Sequence, residues 1–184
     1  MSLVGTDDVA GPDWVLAALR QHEQPLLRYA ASLVGESRAQ DVVQDAFLRL
    51  CSQSFESVAD HLAAWLFTVC RNRALELRRA ERRLSSMDDG DEDDARESPD
   101  SGPIEKVERA ENVSRVRAAM AALPRRHREV LRLKLEADLS YKDIAAVMNL
   151  SVGNVGFILH TAIAKIREQL SEPLEAARAE GSAL

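Results

Sequence analysis

Residues 139–160 carry the pattern that most restricts how this chain folds, and they read LSYKDIAAVMNLSVGNVGFILH. The two helices of a helix-turn-helix need a small residue where they cross, a turn residue that tolerates positive φ, and buried aliphatic residues in the second helix. Those positions are filled by Ala145, Asn149, Val155 and Ile158. The segment therefore predicts a helix-turn-helix of the kind that reads DNA. The alternative is an ordinary helical hairpin within a bundle.

The starts of both helices in this segment carry capping residues. Ser140 and Asp143 have the spacing of a capping pair, and Ser151 is a candidate N-cap for the second helix. Their side-chain oxygens can accept hydrogen bonds from amides that have no partner within the helix. Local sequence thus predicts both helix starts.

Composition favours helical cores. The 184 residues are 46% hydrophobic but only 4% aromatic, which favours one or two aliphatic helical domains over a β-sandwich. Cys51 and Cys70 have no zinc-ligand or CxxC spacing, and we expect both to be small buried hydrophobic residues. The histidines are scattered, and no phosphate loop or nucleophile motif is present. We therefore expect no metal, no cofactor and no enzymatic activity.

The hydropathy pattern gives no sign of export or membrane insertion. No apolar run approaches the roughly 20 residues of a membrane span. The N-terminal residues MSLVGTDDVAGPD lack the basic and then apolar order of a signal peptide. A cytoplasmic protein is expected.

Charge is strongly segregated along the chain. Residues 88–100 hold eight acidic residues against one arginine, a net charge of −7 that exceeds the −6 of the whole chain. Residues 65–83 hold six arginines against two glutamates, a net charge of +4. The acidic overall balance therefore hides a basic helix followed by an acidic tether.

Helical periodicity begins at Asp13. Pro25 predicts a break between the first two helices, Gly35 ends the second, and Ser37 with Gln40 predicts a capping box at the start of the third. The third helix has a predicted buried stripe of Val43, Ala46, Phe47 and Leu50.

A fourth helix is predicted over about residues 61–83, where the stem of Arg73 is expected to lie along apolar surface. In the C-terminal part, Pro124 is expected in the first turn of a helix, and Ala137-Asp138 is expected to turn into the helix-turn-helix. Two stripes are expected to be buried there: Val113, Val116, Met120 and Leu123, and then Val130, Leu131 and Leu135.

The predicted fold is all-α, with two small helical domains at 13–83 and 112–172 and a C-terminal tail at 173–184. A flexible, disordered acidic linker at 84–111 joins the domains, since this stretch has little to bury and repels itself.

Four blocks occur in a fixed order: DVVQDAFLR from Asp41, AWLFTVCRNRAL from Ala64, LPRRHREVLRL from Leu123, and LSYKDIAAVM from Leu139 followed by SVGNV. In this order they resemble the extracytoplasmic-function sigma factors, group 4 of the sigma-70 family. The resemblance implies a sigma region 2-like bundle and a sigma region 4-like helix-turn-helix. It also implies a transcription initiation factor whose partners are core RNA polymerase and promoter DNA.

The resemblance assigns polymerase binding to one face of the third helix, which docks on the clamp helices of the β′ subunit, with the β subunit as a further contact. Its residues are Asp41, Gln44, Asp45, Leu48 and Arg49. An exposed leucine among acidic residues is typical of a partner surface, and the alternative is a merely solvated face.

The resemblance assigns recognition and melting of the −10 element to the fourth helix, through Arg71, Asn72, Arg78 and Arg79. The loop 54–60 lies where the family captures an unstacked base. Trp65 is interpreted as a core residue, with base stacking as the alternative. The linker is either a nucleic-acid mimic directed at the polymerase or a passive spacer.

The second domain is expected to read the −35 element. Its assigned residues are Arg125, Arg126, Arg128 and Lys142 for phosphates, and Ser151, Asn154, Phe157, His160 and Thr161 at the second helix. This helix departs from the family pattern because its first cations are Lys165 and Arg167, so arginine contacts to guanine are excluded on its first turns. Contact of Phe157 with thymine methyl groups is one expectation, and a protein partner at this face is the other.

Regulation has two candidate routes. The family often carries Asp-Ala-Glu-Asp where this chain has Arg-Ala-Gln-Asp at 38–41, and some relatives without that acidity are activated by a serine/threonine kinase. The candidate acceptors are Ser52, Ser54, Ser57 and Thr68. The other route is an anti-sigma partner. A stand-alone helix-turn-helix regulator that does not bind polymerase remains the alternative function.

Overall fold

A computed structural model describes the backbone of residues 13–84 and 107–181 and the side chains of residues 13–83 and 114–171. All regular structure in these ranges is helical, which confirms the predicted all-α class. The chain divides into two compact units near residue 86. Most of the predicted linker lies outside the described residues. Helix does extend to Leu84, from Val107 and up to Gly181, so helical backbone enters both ends of the predicted linker and most of the predicted tail.

The N-terminal unit packs three long helices against one another. They are α1 (Asp13–Val34), α2 (Glu36–Cys51) and α4 (Leu62–Leu84), with a short α3 (Phe55–Val58) and a 3-10 turn (Ala59–His61) between the last two. The predicted loop 54–60 is therefore wrong as a loop, because all of it after Ser54 is helical. The rings of Tyr29 and Phe67 meet edge to face with centroids 5.3 Å apart in the core. The predicted buried stripe of α2 is confirmed, and α4 begins and ends within one residue of its predicted bounds.

The predicted break at Pro25 is wrong, because α1 continues through it. A proline inside a helix removes one backbone hydrogen bond and costs about 3 kcal/mol. Val15 and Ala18 before the proline and Leu26 and Tyr29 after it are all buried. Burial of one continuous apolar stripe against α2 and α4 therefore outweighs the local cost.

The predicted capping box at Ser37 is also wrong. Helix α2 begins one residue earlier, at Glu36, and its N-cap is Gly35, which makes no side-chain cap. Gly35 has φ 82°, and its amide donates to the carbonyl of Ala31 at 2.9 Å. A single glycine thus ends α1 and starts α2, because it tolerates positive φ without steric cost.

The two cysteines have opposite environments. Cys70 is buried in α4 as predicted, and burial raises the pKa of its thiol to about 12. Cys51 is exposed, so its predicted burial is wrong. Its position as the last residue of α2 places it beyond the packed part of that helix.

The C-terminal unit is built around α8 (Val152–Gly181), which packs on α5 (Val107–Ala121), α6 (Arg125–Leu135) and α7 (Tyr141–Met148). Several side chains are almost completely buried at these contacts: Val130, Leu131, Leu133, Ile144, Val155 and Ala162. Between α6 and α7 the chain turns at Asp138, which has φ 48°, as predicted for Ala137-Asp138.

Three local expectations in the C-terminal unit need correction. Leu135 is 67% exposed because it is the last residue of α6, and Leu133 is buried instead. Val116 is 39% exposed on α5, so the predicted stripe there is buried only in part, while the side chain of Val113 lies outside the described residues. Pro124 directly precedes α6 rather than lying within its first turn.

Among the described helices, none taken singly has the length and apolar character to span a membrane. Taken together, α7 and the part of α8 up to Ser171 form a bent pair that does have the required length and apolar composition.

Candidate nucleic-acid and protein interfaces

The five residues assigned to polymerase binding share one side of α2. Asp41, Gln44, Leu48 and Arg49 are exposed, and Leu48 keeps 62% of its surface accessible. On the other side of the same helix, Val43, Ala46, Phe47 and Leu50 are buried. The helix therefore fixes Leu48 in an outward position among polar neighbours.

Asp45 differs from its neighbours because it is paired within the unit. Its Oδ2 atom lies 3.0 Å from the guanidinium of Arg49 and 3.6 Å from that of Arg73 on α4. Arg73 also lies 3.6 Å from Glu76. Asp45 therefore has a structural task that Asp41 does not share, namely connecting α2 to α4.

Arg38 also links these two helices. It stands where the family often has an acidic residue, and it pairs with Glu81 near the end of α4. Both side chains are nearly half exposed, so the pair contributes at most about 1 kcal/mol. Neither this contact nor the Asp45–Arg73 pair is visible from sequence spacing, because each joins residues far apart in the chain.

The basic helix α4 presents its polar residues in two rows. Asn72 and Arg79 are exposed and lie seven residues apart, so they share a face, while Arg71 and Arg78 form a half-buried row beside them. Two parallel rows of donors on a rigid helix suit a nucleic-acid backbone. Trp65 is half-buried, seven residues before Asn72. Half-burial is compatible with Trp65 as a core residue and with Trp65 as a residue that stacks on a base.

The helix-turn-helix has the local geometry that its sequence predicts. The amide of Asp143 donates to Ser140 Oγ at 3.1 Å, and the amide of Ser140 donates back to the Asp143 carboxylate at 3.3 Å. Asn149 adopts the left-handed conformation at φ 54° and ψ 54°, and Ser151 Oγ accepts from the amide of Asn154 at 3.2 Å. The axes of α7 and α8 meet at 101°, within the range of DNA-binding helix-turn-helices.

The residues assigned to −35 recognition lie mostly on the outside of this motif. Asn154, His160 and Lys142 are exposed, Thr161 is half-buried, and Phe157 keeps 67% of its surface accessible. Ser151 is exposed as well, although its hydroxyl oxygen already caps α8.

Arg128 does not fit its predicted role as a phosphate contact. It is buried, and its guanidinium donates to the carbonyl of Ala121 at 2.5 Å, which ties α6 to the end of α5. Arg126 is exposed and Arg125 is half-buried, so both fit the predicted role of phosphate contact better than Arg128 does. The sequence alone does not separate the three, since the turn before α6 decides which arginine points inward.

Positive charge from both α6 and α8 acts on His127. Burial, together with the charges of Lys165 and Arg126, lowers the pKa of His127. Two cations from different helices thus lie near the same imidazole. Lys165 is exposed on α8 and is not among the residues that the sequence assigns to −35 recognition.

Two compact helical units, one with a basic helix and one with a helix-turn-helix, define an all-helical DNA-binding protein. Comparison with known families agrees: residues 18–84 match sigma-70 region 2 and residues 114–166 match sigma-70, region 4.

Two similar proteins cover most of the chain. The ECF RNA polymerase sigma factor SigL of Mycobacterium tuberculosis is 30% identical over 155 residues, which are 83% of this chain and 86% of that protein. EcfG of Rhodopseudomonas palustris, also an ECF RNA polymerase sigma factor, is 35% identical over 158 residues, 84% of this chain and 81% of that protein. The chain belongs to the extracytoplasmic-function (ECF) sigma factors, as its four sequence blocks predicted.

A solved structure shares the fold. The sigma factor RpoE from Bartonella quintana, in complex with the anti-sigma factor NepR, superposes with a TM-score of 0.60 at 24% identity, covering 86% of this chain and 95% of that one. As a sigma factor, this chain binds core RNA polymerase, directs it to specific promoters and promotes opening of the DNA for initiation.

Proposed function

We propose that this ECF sigma factor belongs to group 4, acts in the cytoplasm without catalytic activity of its own, and divides its tasks between its two units. The exposed face of α2 docks on the β′ clamp helices of core polymerase. The rows of α4 bind and melt the −10 element. The helix-turn-helix binds the −35 element.

The exposure of Leu48 carries the polymerase-binding part of this proposal. A leucine that keeps 62% of its surface accessible on a well-packed helix contributes little to the fold of its own unit. Apolar groups ringed by polar ones are typical of the centre of a protein interface. Asp41 and Gln44 supply such a polar surround on the same helix face.

The DNA-binding part rests on the basic surfaces of both units. On α4, Asn72 and Arg79 are exposed and Arg78 is half-buried. Around the helix-turn-helix, Arg125, Arg126 and Lys142 are at least partly exposed. Cations placed in this way neutralise phosphates and make binding salt-dependent. Arg71 completes the α4 set, and Arg128 is excluded from the DNA-binding set because it is buried.

For regulation, we propose control either by phosphorylation of the segment 52–57, which follows α2 and extends into α3, or by an anti-sigma partner. Ser52, Ser54 and Ser57 are exposed, and a phosphate on any of them would add negative charge shortly after the end of α2. Thr68 suits a kinase poorly, because it is half-buried and its hydroxyl donates to the carbonyl of Ala64 at 2.7 Å. An anti-sigma partner is suggested by the complex of the structurally similar RpoE with NepR.

Transcription from a promoter library tests the proposed function. Purified full-length chain is added to bacterial core polymerase, with and without prior treatment by a serine/threonine kinase. Specific initiation supports the proposal, and initiation only after kinase treatment selects phosphorylation over an anti-sigma partner. Binding of duplex DNA with no initiation in either arm would instead indicate a stand-alone helix-turn-helix regulator.

Charge reversal at two aspartates tests the docking face. Asp41→Arg is expected to weaken polymerase binding and leave thermal stability unchanged, because Asp41 is exposed. Asp45→Arg places a third cation beside Arg49 and Arg73, so it is expected to lower both binding and melting temperature. Unchanged binding in the Asp41 variant would place the docking face elsewhere.

A further inference from the structure

The outward side of α8 combines a glycine and an exposed aromatic ring with the exposed polar side chains of Asn154 and His160 in its first turns. The inner side of α8 carries Val155, Ile158 and Leu159, which are buried. On the opposite side lie Gly153 and, one turn later, Phe157, which is two-thirds exposed. An exposed aromatic ring next to bare backbone is therefore part of the surface that a partner of α8 would meet.

Nothing inside the C-terminal unit requires glycine at the two glycine positions near the start of α8. A Cβ atom at Gly153 would meet nothing within 4 Å, and one at Gly156 would meet only Tyr141 Cε2 at an ordinary 3.8 Å. Both have negative φ, since the positive-φ residues of the described chain are found elsewhere. Glycine lowers the stability of a helix relative to alanine. The free space therefore suits close approach by an external surface.

The same face lacks the cationic side chains that most often read guanine. From Val152 to Ala164 the helix contains no arginine or lysine. Lys165 and Arg167 follow Phe157 by eight and ten residues, which is about 12 and 15 Å along the axis. Guanine is recognised in the major groove mainly by such cations, whereas thymine alone presents an apolar group there, its C5 methyl.

We infer that Phe157 recognises the C5 methyl group of a thymine in the −35 element, and that Gly153 and Gly156 let α8 approach the base edges closely enough for this contact. The inference rests on the proposed function of the C-terminal unit as a reader of duplex DNA. Lys142 on α7 and Arg126 on α6 are exposed in the same unit and are available for phosphate contacts. A promoter duplex is therefore a better match to the surface than an apolar protein helix.

The test removes one methyl group at a time. The full chain with core polymerase first selects −35 sequences from a library, and each selected thymine is then replaced by uracil, which lacks only the methyl. One replacement is expected to weaken holoenzyme binding about fourfold, the loss expected for one buried methyl group. With Phe157→Ala, binding is weaker at the outset and the same uracil replacement has no further effect.

Two further variants control for losses of DNA binding that do not come from the contact between Phe157 and a methyl group. Ile163→Ala removes another exposed apolar side chain of α8, and it should keep the full response to uracil. Gly153→Ala should raise the melting temperature yet weaken promoter binding, a combination that a purely structural glycine would not give.

Three results would overturn the inference. The first is a selected −35 element without thymine, and the second is promoter binding that ignores uracil at every position. In both cases specific initiation would still stand, so the proposed function survives. The third is DNA binding unaffected by Phe157→Ala, with loss of binding to a protein partner instead. Absence of any specific initiation would reject the proposed function and this inference together.

Discussion

Replacement of Leu48 by alanine gives the sharpest quantitative test of the α2 face. Complete burial of a leucine side chain is worth about 1.5–3 kcal/mol. Leu48 has 62% of its surface still accessible in the free unit, so its burial by polymerase would supply about 1–2 kcal/mol on that scale. Leu48→Ala is therefore expected to raise the Kd for core polymerase by roughly 5- to 30-fold.

The same substitution should scarcely change the stability of the N-terminal unit. Surface replacements away from packed contacts usually alter the free energy of unfolding by less than about 0.5 kcal/mol. The Kd is measured by titrating core polymerase with fluorescently labelled chain, alongside thermal unfolding of each variant. Leu16→Ala on α1 is the matched control, since Leu16 is exposed but lies off the α2 face. A Leu48→Ala protein with unchanged melting temperature and unchanged Kd would refute the docking face.

Three further predictions concern other parts of the chain. The double variant Arg78→Ala, Arg79→Ala should slow promoter opening, measured by permanganate reactivity, more than it weakens core binding. It should also reduce the salt slope of DNA binding by about 1–2. Equal loss of promoter opening and core binding would argue against separate roles for α2 and α4. Ser140→Ala should lower the free energy of unfolding of the C-terminal unit by about 1 kcal/mol in denaturant titration, and no change would mean that the cap is not formed. Alkylation at pH 8 should modify Cys51 and spare Cys70, whose pKa is raised to about 12 by burial; mass spectrometry showing equal native labelling would contradict that placement.

The helix-turn-helix could be predicted from sequence in detail because its determinants are local. Ser140 and Asp143 lie three residues apart and bond to each other. Asn149 enters the left-handed region that its side chain tolerates better than most. The buried positions of α8 follow helical periodicity, so Val155 and Ile158 were assigned correctly.

The errors arose where tertiary packing overrides local preference. Pro25 predicts a break by its own chemistry, but burial on both sides keeps α1 continuous. Arg128 is the same residue type as Arg125 and Arg126, and only the turn before α6 directs it to Ala121. The pairing of Asp45 with Arg73 joins two helices, so it could not be read from spacing on either one.

Binding of the purified full-length chain to bacterial core RNA polymerase is the most direct measurement of the central claim. It is made by size-exclusion chromatography and titration, with unmodified and kinase-treated chain in parallel. We predict a one-to-one complex in at least one of these states that initiates at specific promoters. Failure to form a complex with core polymerase in either state, by a chain that is folded by circular dichroism, would contradict the claim.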